Sequence, residues 1–151
     1  MTADAGRMSE AREFVSTGFL GMLGTQLVSA GNGSCTLRVE VNASHVQHFG
    51  QTHGGFVTTI LDGAAACACF VDLAPGTPFT STDFSVQFLR TVPLGPGLAE
   101  ATILHRGSRR LVVKASFRDA AGKLCAEYLG GFIQTSPRGS SPGMDPEPSP
   151  G

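Results

Sequence analysis

The chain has 151 residues, a net charge of −1, 41% hydrophobic residues and 15% charged residues. This size fits one domain with a single core, and the near-neutral charge without a long basic block argues against a nucleic-acid partner. We expect no membrane partner and no secretory signal, because Asp62 interrupts the longest apolar run, residues 56–70, and the N-terminus lacks a basic region before an apolar stretch.

The first part of the chain predicts a short helix and then a hairpin. Ser9 suits the N-cap of a helix over residues 9–15. A strand over residues 25–29 leads into Gly31-Asn32-Gly33, which is a tight-turn signal because left-handed backbone angles suit Gly and Asn. The alternation of apolar and polar residues over 35–41 then predicts a half-buried second strand.

A long apolar helix follows, and it contains one fixed charge, Asp62. Between Val41 and Val71 the chain has no other Asp, Glu, Lys or Arg. Apolar residues recur every three or four positions from Phe56 and make one stripe of this helix. The opposite face has small side chains and, apart from Asp62, no charge. Its residues are Thr58, Thr59, Asp62, Ala65, Ala66 and Cys69. We therefore expect the helix to be covered on both sides, by its own sheet and by a second copy of the chain.

The isolation of Asp62 indicates a chemical use. A lone buried carboxylate is costly unless it is paired or neutralised, so the alternative is a structural carboxylate paired with Arg or Lys from another strand. Asp62 follows His53-Gly54-Gly55, where unpaired N–H groups at a helix start carry the positive end of the helix dipole. Glycine allows a substrate carbonyl to approach these groups closely. We interpret the pair of features as an enzyme site, with a turn that binds no ligand as the alternative for the glycines.

The remainder of the chain predicts antiparallel strands and a tail. The spacing of the Gly, Pro and Asp turns is typical of a meander, with strands over residues 80–91, 98–106, 109–118 and 124–135. Phe84 and Phe88 are interpreted as core residues. Pro, Gly and Ser predominate from residue 136 onward, which predicts disorder. The predicted organisation is a helical segment over 1–22, a domain over 23–135 and a disordered tail over 136–151.

The cysteines and histidines predict neither a disulfide framework nor a metal site. The four cysteines, two of them in the apolar helix, are expected to be buried reduced thiols, which favours a reducing cytoplasm. His45, His48 and His53 invite a metal interpretation, but their spacing matches no strong zinc pattern. We therefore expect no metal and no other cofactor.

The segment His45-x-Gln47-x-x-Gly50-x-x-His53-Gly54-Gly55, followed by Asp62 in a small-residue helix, resembles the signature of hotdog-fold acyl-CoA thioesterases. The resemblance is to the group typified by the bacterial phenylacetate-pathway enzymes and their animal relatives. Residues 81–90, 107–110 and 119–123 resemble the strand and turns that follow in that family, so the likeness spans residues 15–135. It implies an α+β hotdog fold, in which an antiparallel sheet wraps a long central helix. It also implies a homodimer joined edge to edge, with active sites at the interface, or a homotetramer made of two such dimers.

The resemblance also implies roles for individual residues. Asp62 matches the catalytic acid, acting as general base or as nucleophile, and Gly54 matches the glycine whose backbone N–H polarises the thioester carbonyl. Gln47 falls where many relatives carry Asn and would lie near the same carbonyl. Ser81 matches a Ser or Thr that helps to hold the water, although a plain strand hydroxyl is the alternative.

Further substrate contacts are expected at the same helix start and at several arginines. Gly55 belongs to the turn, and His53 either acts as a base or orders the loop. Arg90, Arg109 and Arg110 would meet the coenzyme A phosphates, or they would be solvated strand ends.

The implied reaction converts acyl-CoA and water into a carboxylic acid and coenzyme A. Asp62 lies about two turns after Gly54, roughly 11–12 Å along the helix. This separation predicts that Asp62 serves a thioester held at the other subunit's glycines. Two alternatives stay open: a dehydratase or hydratase that acts on acyl thioesters, and a module that binds acyl-CoA without catalysis. Aromatic and medium-chain aliphatic acyl groups are both compatible with the sequence.

Overall fold

The structure, a computed structural model, describes residues 4–136. The predicted tail lies outside these residues except for Ser136. In chain order the elements are α1 (Ala5–Ser16), α2 (Gly18–Met22), β1 (Gln26–Gly31), β2 (Ser34–Val41), a 3-10 helix (Ala43–His45), α3 (Gly54–Asp72), β3 (Phe79–Phe88), β4 (Gly95–Arg106), β5 (Arg110–Asp119) and β6 (Leu124–Gln134).

The N-terminal helix starts earlier than predicted because Asp4, and not Ser9, caps it. The Asp4 carboxylate accepts a hydrogen bond from the Arg7 backbone N–H at 2.8 Å, which satisfies one of the free donors of the first turn. Ala11 and Val15 are buried against the rest of the chain. The short helix α2 also packs on α3, because a Cβ at Gly63 would lie only 2.6 Å from Leu20. The small residue at position 63 therefore allows close approach of the two helices.

All six strands form one antiparallel sheet in the order β1-β2-β4-β5-β6-β3. The predicted β1–β2 hairpin is confirmed, and its turn residues Asn32 and Gly33 have φ values of 51° and 69°. The predicted meander is correct for β4, β5 and β6. It is wrong for β3, which lies at the far edge beside β6 and not beside β4.

The sheet wraps the central helix, as a hotdog fold requires. The 19-residue helix α3 packs on the inner face of the sheet, with Ile60, Leu61 and Ala64 at 0% exposure. The helix α3 has an 18-residue window with a mean hydropathy of 1.6, which makes it the one helix within residues 4–136 long and apolar enough to cross a membrane, yet 56% of that window is buried inside the fold. Its contacts with β2, β4 and β5 make it the core helix.

The side of α3 that carries Asp62 is only partly covered within the chain. Ala65 and Cys69 are fully buried there, whereas Thr58, Asp62 and Ala66 are half-buried. The N-terminal helix covers the carboxyl end of α3, where Phe14 stacks on Phe70 with ring centroids 4.8 Å apart.

Phe84 and Phe88 are not core residues, contrary to the prediction from strand alternation. They are 49% and 56% exposed. Both belong to β3, which pairs with β6 on one side and with no strand of residues 4–136 on the other. Alternation defines which face a side chain occupies, but an edge strand has less of the protein around it.

Candidate active site

The start of α3 presents one free backbone donor, at Gly54. His53 is the N-cap of the helix, and its Nδ1 accepts a hydrogen bond from the Gly55 N–H at 2.8 Å. The His53 carbonyl accepts a further bond from the Phe56 N–H at 3.0 Å. Within residues 4–136 the Gly54 N–H has no hydrogen-bond partner. The two glycines therefore differ: Gly55 completes the cap, and Gly54 has an unpaired donor at the positive end of the helix dipole.

The loop before α3 places Gln47 at the same cavity as Gly54. The loop is closed by backbone hydrogen bonds from Gln47 to Gln51 at 2.7 Å and from Gly50 to Gln47 at 2.8 Å. The Gln47 side-chain oxygen accepts the Phe49 N–H, so its NH₂ group is left to donate elsewhere. A cavity of about 380 Å³ is lined by Gln47, Gln51, Thr52, Gly54, Val57, Phe88, Leu89, Arg90, Thr91 and Val92.

Two histidines of this loop, His45 and His53, accept hydrogen bonds from backbone N–H groups. The Nδ1 atom of His45 accepts a hydrogen bond from the Asn42 N–H at 3.1 Å, and its ring stacks on Phe56 at 3.9 Å. Burial lowers the pKa of His45, so the neutral ring that accepts this bond is favoured. His53 caps α3 in the same manner. In both residues the Nδ1 atom holds the chain in place, which is the loop-ordering alternative stated for His53.

Asp62 lies half-buried in the middle of α3 and has a hydroxyl partner. The Tyr128 O–H donates to Asp62 Oδ1 at 2.8 Å. No salt bridge of the described residues includes Asp62, so the structural alternative of an Arg or Lys partner is not observed there. Burial raises the pKa of Asp62, and the Tyr128 hydrogen bond partly opposes this rise. The carboxylate is thus desolvated but not neutralised by a cation.

Tyr128 is the site residue that sequence analysis missed. It lies on β6, is 2% exposed, and stacks on Phe84 with ring centroids 5.6 Å apart. Its partner Asp62 is 66 residues away in the chain, so no local pattern links them. The sequence feature that could have indicated this contact is Gly130. A glycine inside a predicted strand often marks a place where another group approaches the backbone closely.

Ser81 lies apart from Asp62 within one chain. Ser81 is exposed on β3 and lines a second cavity of about 500 Å³. This cavity is also lined by Ala66, one turn after Asp62, and by the rings of Phe14, Phe70, Phe79 and Phe132. Asp62 itself lines neither cavity. The predicted catalytic residues are therefore divided: Gln47 and Gly54 share the first cavity, and Ser81 lies at the second.

The predicted arginines are also divided between the two ends of the sheet edge. Arg90 follows β3 and lines the first cavity with Gly54. Arg109 donates to the Gln134 carbonyl at 3.3 Å, and Arg110 donates to Asp83 at 3.1 Å. Arg109 and Arg110 lie beside the carboxyl end of β6, whereas Arg90 lies beside its amino end. These two ends are about eight residues, roughly 27 Å, apart. A single chain does not bring the three cations together.

Residues 49–126 match the family model of the thioesterase superfamily. The chain belongs to the thioesterase superfamily. The match spans the Gly54 turn, all of α3 and most of the sheet, and membership makes this protein an acyl-thioester hydrolase. The expected fold and enzyme class are confirmed.

One curated relative has a thioesterase name, and two solved structures share the fold. Human acyl-coenzyme A thioesterase 13 is 28% identical over 122 residues, which cover 80% of this chain and 84% of the relative. A conserved protein of Pseudomonas aeruginosa with a solved structure is 29% identical, with a TM-score of 0.78 over 83% of this chain and 99% of that one. The PaaI protein of the E. coli phenylacetic acid degradation operon is 22% identical and shares the fold, with a TM-score of 0.74 over 88% and 91% of the two chains.

Proposed function

We propose that this thioesterase hydrolyses acyl-CoA to a carboxylic acid and coenzyme A, with Asp62 as the general base or nucleophile. The observation that carries the proposal is the state of Asp62: desolvated, hydrogen-bonded by Tyr128 and unpaired with any cation of the described residues. A carboxylate in that state can take a proton from water or attack an acyl carbon.

The first cavity supplies the group that polarises the thioester carbonyl. Gly54 and Gln47 both line it, and neither the Gly54 N–H nor the Gln47 NH₂ has a partner within residues 4–136. Two donors that converge on one oxygen can stabilise the negative charge that develops on it in the transition state. Arg90 borders the same cavity, where it would meet a phosphate group of coenzyme A.

We propose that one complete site requires two chains. A carbonyl at Gly54 is roughly 12 Å from Asp62 along α3, which is too far for direct reaction. The open edge of β3, with exposed Phe84 and Phe88, supports edge-to-edge pairing with a second copy. Antiparallel pairing would bring the partner subunit's opposite strand end to this cavity. That end carries Ser81, Arg109 and Arg110 in each chain.

Mixing two inactive variants tests the shared site. In a mixed dimer of Asp62→Ala and Gly54→Pro chains, one site would retain both an intact Asp62 and an intact Gly54. Random pairing at equal amounts should restore about a quarter of wild-type activity, because half of the dimers carry one working site of two. Sedimentation measures the oligomeric state and separates a dimer from the homotetramer that the resemblance allows. Mixed dimers that form but stay inactive would contradict the shared site.

We assign the acyl group to the second cavity of the chain that supplies Asp62. Its four phenylalanine rings and Ala66 make a largely apolar wall one turn from Asp62. Because each buried CH₂ contributes about 0.8 kcal/mol, phenylacetyl-CoA, hydroxybenzoyl-CoA and medium-chain acyl-CoA should each exceed acetyl-CoA in kcat/KM by about tenfold or more. A thiol-release assay over these substrates tests the prediction. Absence of thiol release from every substrate would reject the proposed function, and water addition across an enoyl-CoA double bond would indicate a hydratase instead.

A reducing compartment such as the cytoplasm fits the cysteines. Cys35, Cys67, Cys69 and Cys125 are all free thiols. Each is 0–1% exposed and belongs to the core, so the described fold uses no disulfide for its stability.

A further inference from the structure

Tyr128 provides the one hydrogen bond that Asp62 receives on its side chain from residues 4–136. The tyrosine lies in the middle of β6, opposite Ala115 of β5 and Val86 of β3. Its ring is almost fully buried, so water has little access to the hydroxyl. The contact is therefore a fixed part of the interior and not a surface contact that solvent can replace.

The sequence of β6 makes room for this contact. Gly130 follows Tyr128 by two residues and occupies the same face of the strand. A Cβ at Gly130 would lie 2.2 Å from the Tyr128 hydroxyl oxygen and 2.5 Å from Cζ, so any side chain there would displace the ring. Phe84 on β3 stacks against the ring at an interplanar angle of 26°. Together Gly130 and Phe84 determine where the hydroxyl points.

We propose that Tyr128 is a positioning residue for thioester hydrolysis: its hydroxyl orients the Asp62 carboxylate and stabilises its ionised form, and Gly130 provides the space for that hydroxyl. The inference rests on the proposed function of Asp62 and adds two residues to it. Tyr128 acts through Asp62 and does not contact the substrate in this assignment.

The charge balance around the pair supports the proposal. Burial raises the pKa of Asp62, and a hydrogen bond from a neutral donor to the carboxylate favours the charged form. Burial and the nearby Asp62 charge raise the pKa of Tyr128, so the hydroxyl keeps its proton and remains the donor.

Two other titratable groups act on the pair. Burial, Asp72 and Asp62 raise the pKa of Cys69 on α3 to about 12, so its thiol is neutral at ordinary pH. Asp83 on β3 acts on Tyr128 and is paired with Arg110. The acidic limb of the pH–rate profile should therefore report Asp62.

The Tyr128→Phe variant removes the hydroxyl and keeps the ring. Because the charged form is then less stabilised, Asp62 becomes protonated at higher pH. The acidic limb of the pH profile of kcat/KM should therefore move to higher pH. At pH values well below the wild-type midpoint of that limb, the loss of activity should exceed the loss on the alkaline plateau by roughly tenfold, the expected size of one hydrogen bond to a charged group. A loss that is equal at all pH values, or no loss, would overturn the proposal.

Two further variants separate positioning from packing. Ser116→Ala removes a different hydroxyl–carboxylate hydrogen bond, which joins β5 to Glu127 of β6 at 2.6 Å, and its pH profile should match wild type. Gly130→Ala displaces the Tyr128 ring and should shift the limb in the direction seen for Tyr128→Phe. Adding Gly130→Ala to Tyr128→Phe should move the acidic limb no further. An additive shift would contradict the proposal that Gly130 acts through the Tyr128 hydroxyl.

A titration of the Asp62 carboxyl carbon by NMR tests the contact without any substrate. The signal is assigned by its loss in Asp62→Asn, and its midpoint should move to higher pH in Tyr128→Phe but not in Ser116→Ala. If the midpoint moves while no acyl-CoA is hydrolysed, the effect of Tyr128 on the Asp62 carboxylate stands and the proposed function fails. An unchanged midpoint in Tyr128→Phe would overturn the inference whatever the activity.

Discussion

Replacing Asp62 with Asn should reduce thioester hydrolysis by roughly 10²–10⁴-fold, the range for loss of a catalytic acid or base. The Asn side chain has nearly the same shape, and its carbonyl oxygen can still accept the Tyr128 hydrogen bond at position 62. The fold should therefore persist, and the loss reports the chemistry of the carboxylate. Steady-state thiol release, with kcat and KM measured separately, provides the test.

Asp72→Asn is the matched control for this prediction. Asp72 ends the same helix, and its carboxylate accepts a hydrogen bond from Arg106 Nε at 2.6 Å. Asp72 is ten residues after Asp62, roughly 15 Å along α3, so removal of its charge should leave the Asp62 site unchanged. The activity of the Asp72→Asn variant should stay close to that of the wild type. If Asp62→Asn behaves like Asp72→Asn, the assignment of Asp62 is wrong.

A single-turnover reaction in ¹⁸O-labelled water separates the two roles left open for Asp62. A nucleophilic Asp62 would form an acyl-enzyme anhydride, and its hydrolysis can leave labelled oxygen in the Asp62 carboxyl group. A general base would place the label only in the released acid. Mass spectrometry of the peptide that contains Asp62 distinguishes the outcomes.

Replacing Gly54 with Pro should reduce kcat by roughly 10²–10³-fold, because it removes one donor to the developing oxyanion. Gly54 is the first residue of α3, where proline is well tolerated since that N–H has no helical partner. The preceding residue, His53, already has the extended conformation that proline requires, with φ −66° and ψ 130°. The substitution thus removes the N–H with little change of the backbone.

Gly54→Ala is the control, because it adds a side chain but keeps the N–H. A Cβ at this position would lie 3.1 Å from Cζ of Phe88, so this ring needs to move by only a few tenths of an ångström. This variant should keep most of its kcat. Equal losses in the Ala and Pro variants would indicate steric blockage of the cavity and would contradict the oxyanion role.

The helix of the site was predictable because its signals are local. Asp62 and the Gly54 turn are eight residues apart, and the small, charge-free face between them has no ordinary surface explanation. The Asn32-Gly33 turn was predictable for the same reason, since left-handed backbone angles restrict the choice of residues. Local sequence does not define a helix end when two caps compete, and Asp4 rather than Ser9 begins α1.

The exposure of Phe84 and the contact between Tyr128 and Asp62 were not predicted from the sequence, because both depend on how strands that are distant in the chain pair with one another. Phe84 alternates with polar neighbours as a core residue would, but β3 lies at the edge of the sheet. The chain crosses β6 and β5 on its way from β3 to β4. Sequence spacing alone predicts instead that β3 and β4 are neighbours in the sheet. The Tyr128 contact with Asp62 follows from this same strand order, because β6 must be placed before the tyrosine can be assigned to the helix.

The cysteines of the core give this enzyme an internal reporter of unfolding. Cys35 lies on β2, Cys67 and Cys69 lie on α3, and Cys125 lies on β6. Because these side chains are inaccessible in the folded chain, an alkylating reagent can label them only when the surrounding structure opens. The rate of labelling at each sulfur therefore measures how often its region of the core opens, with no probe introduced into the protein.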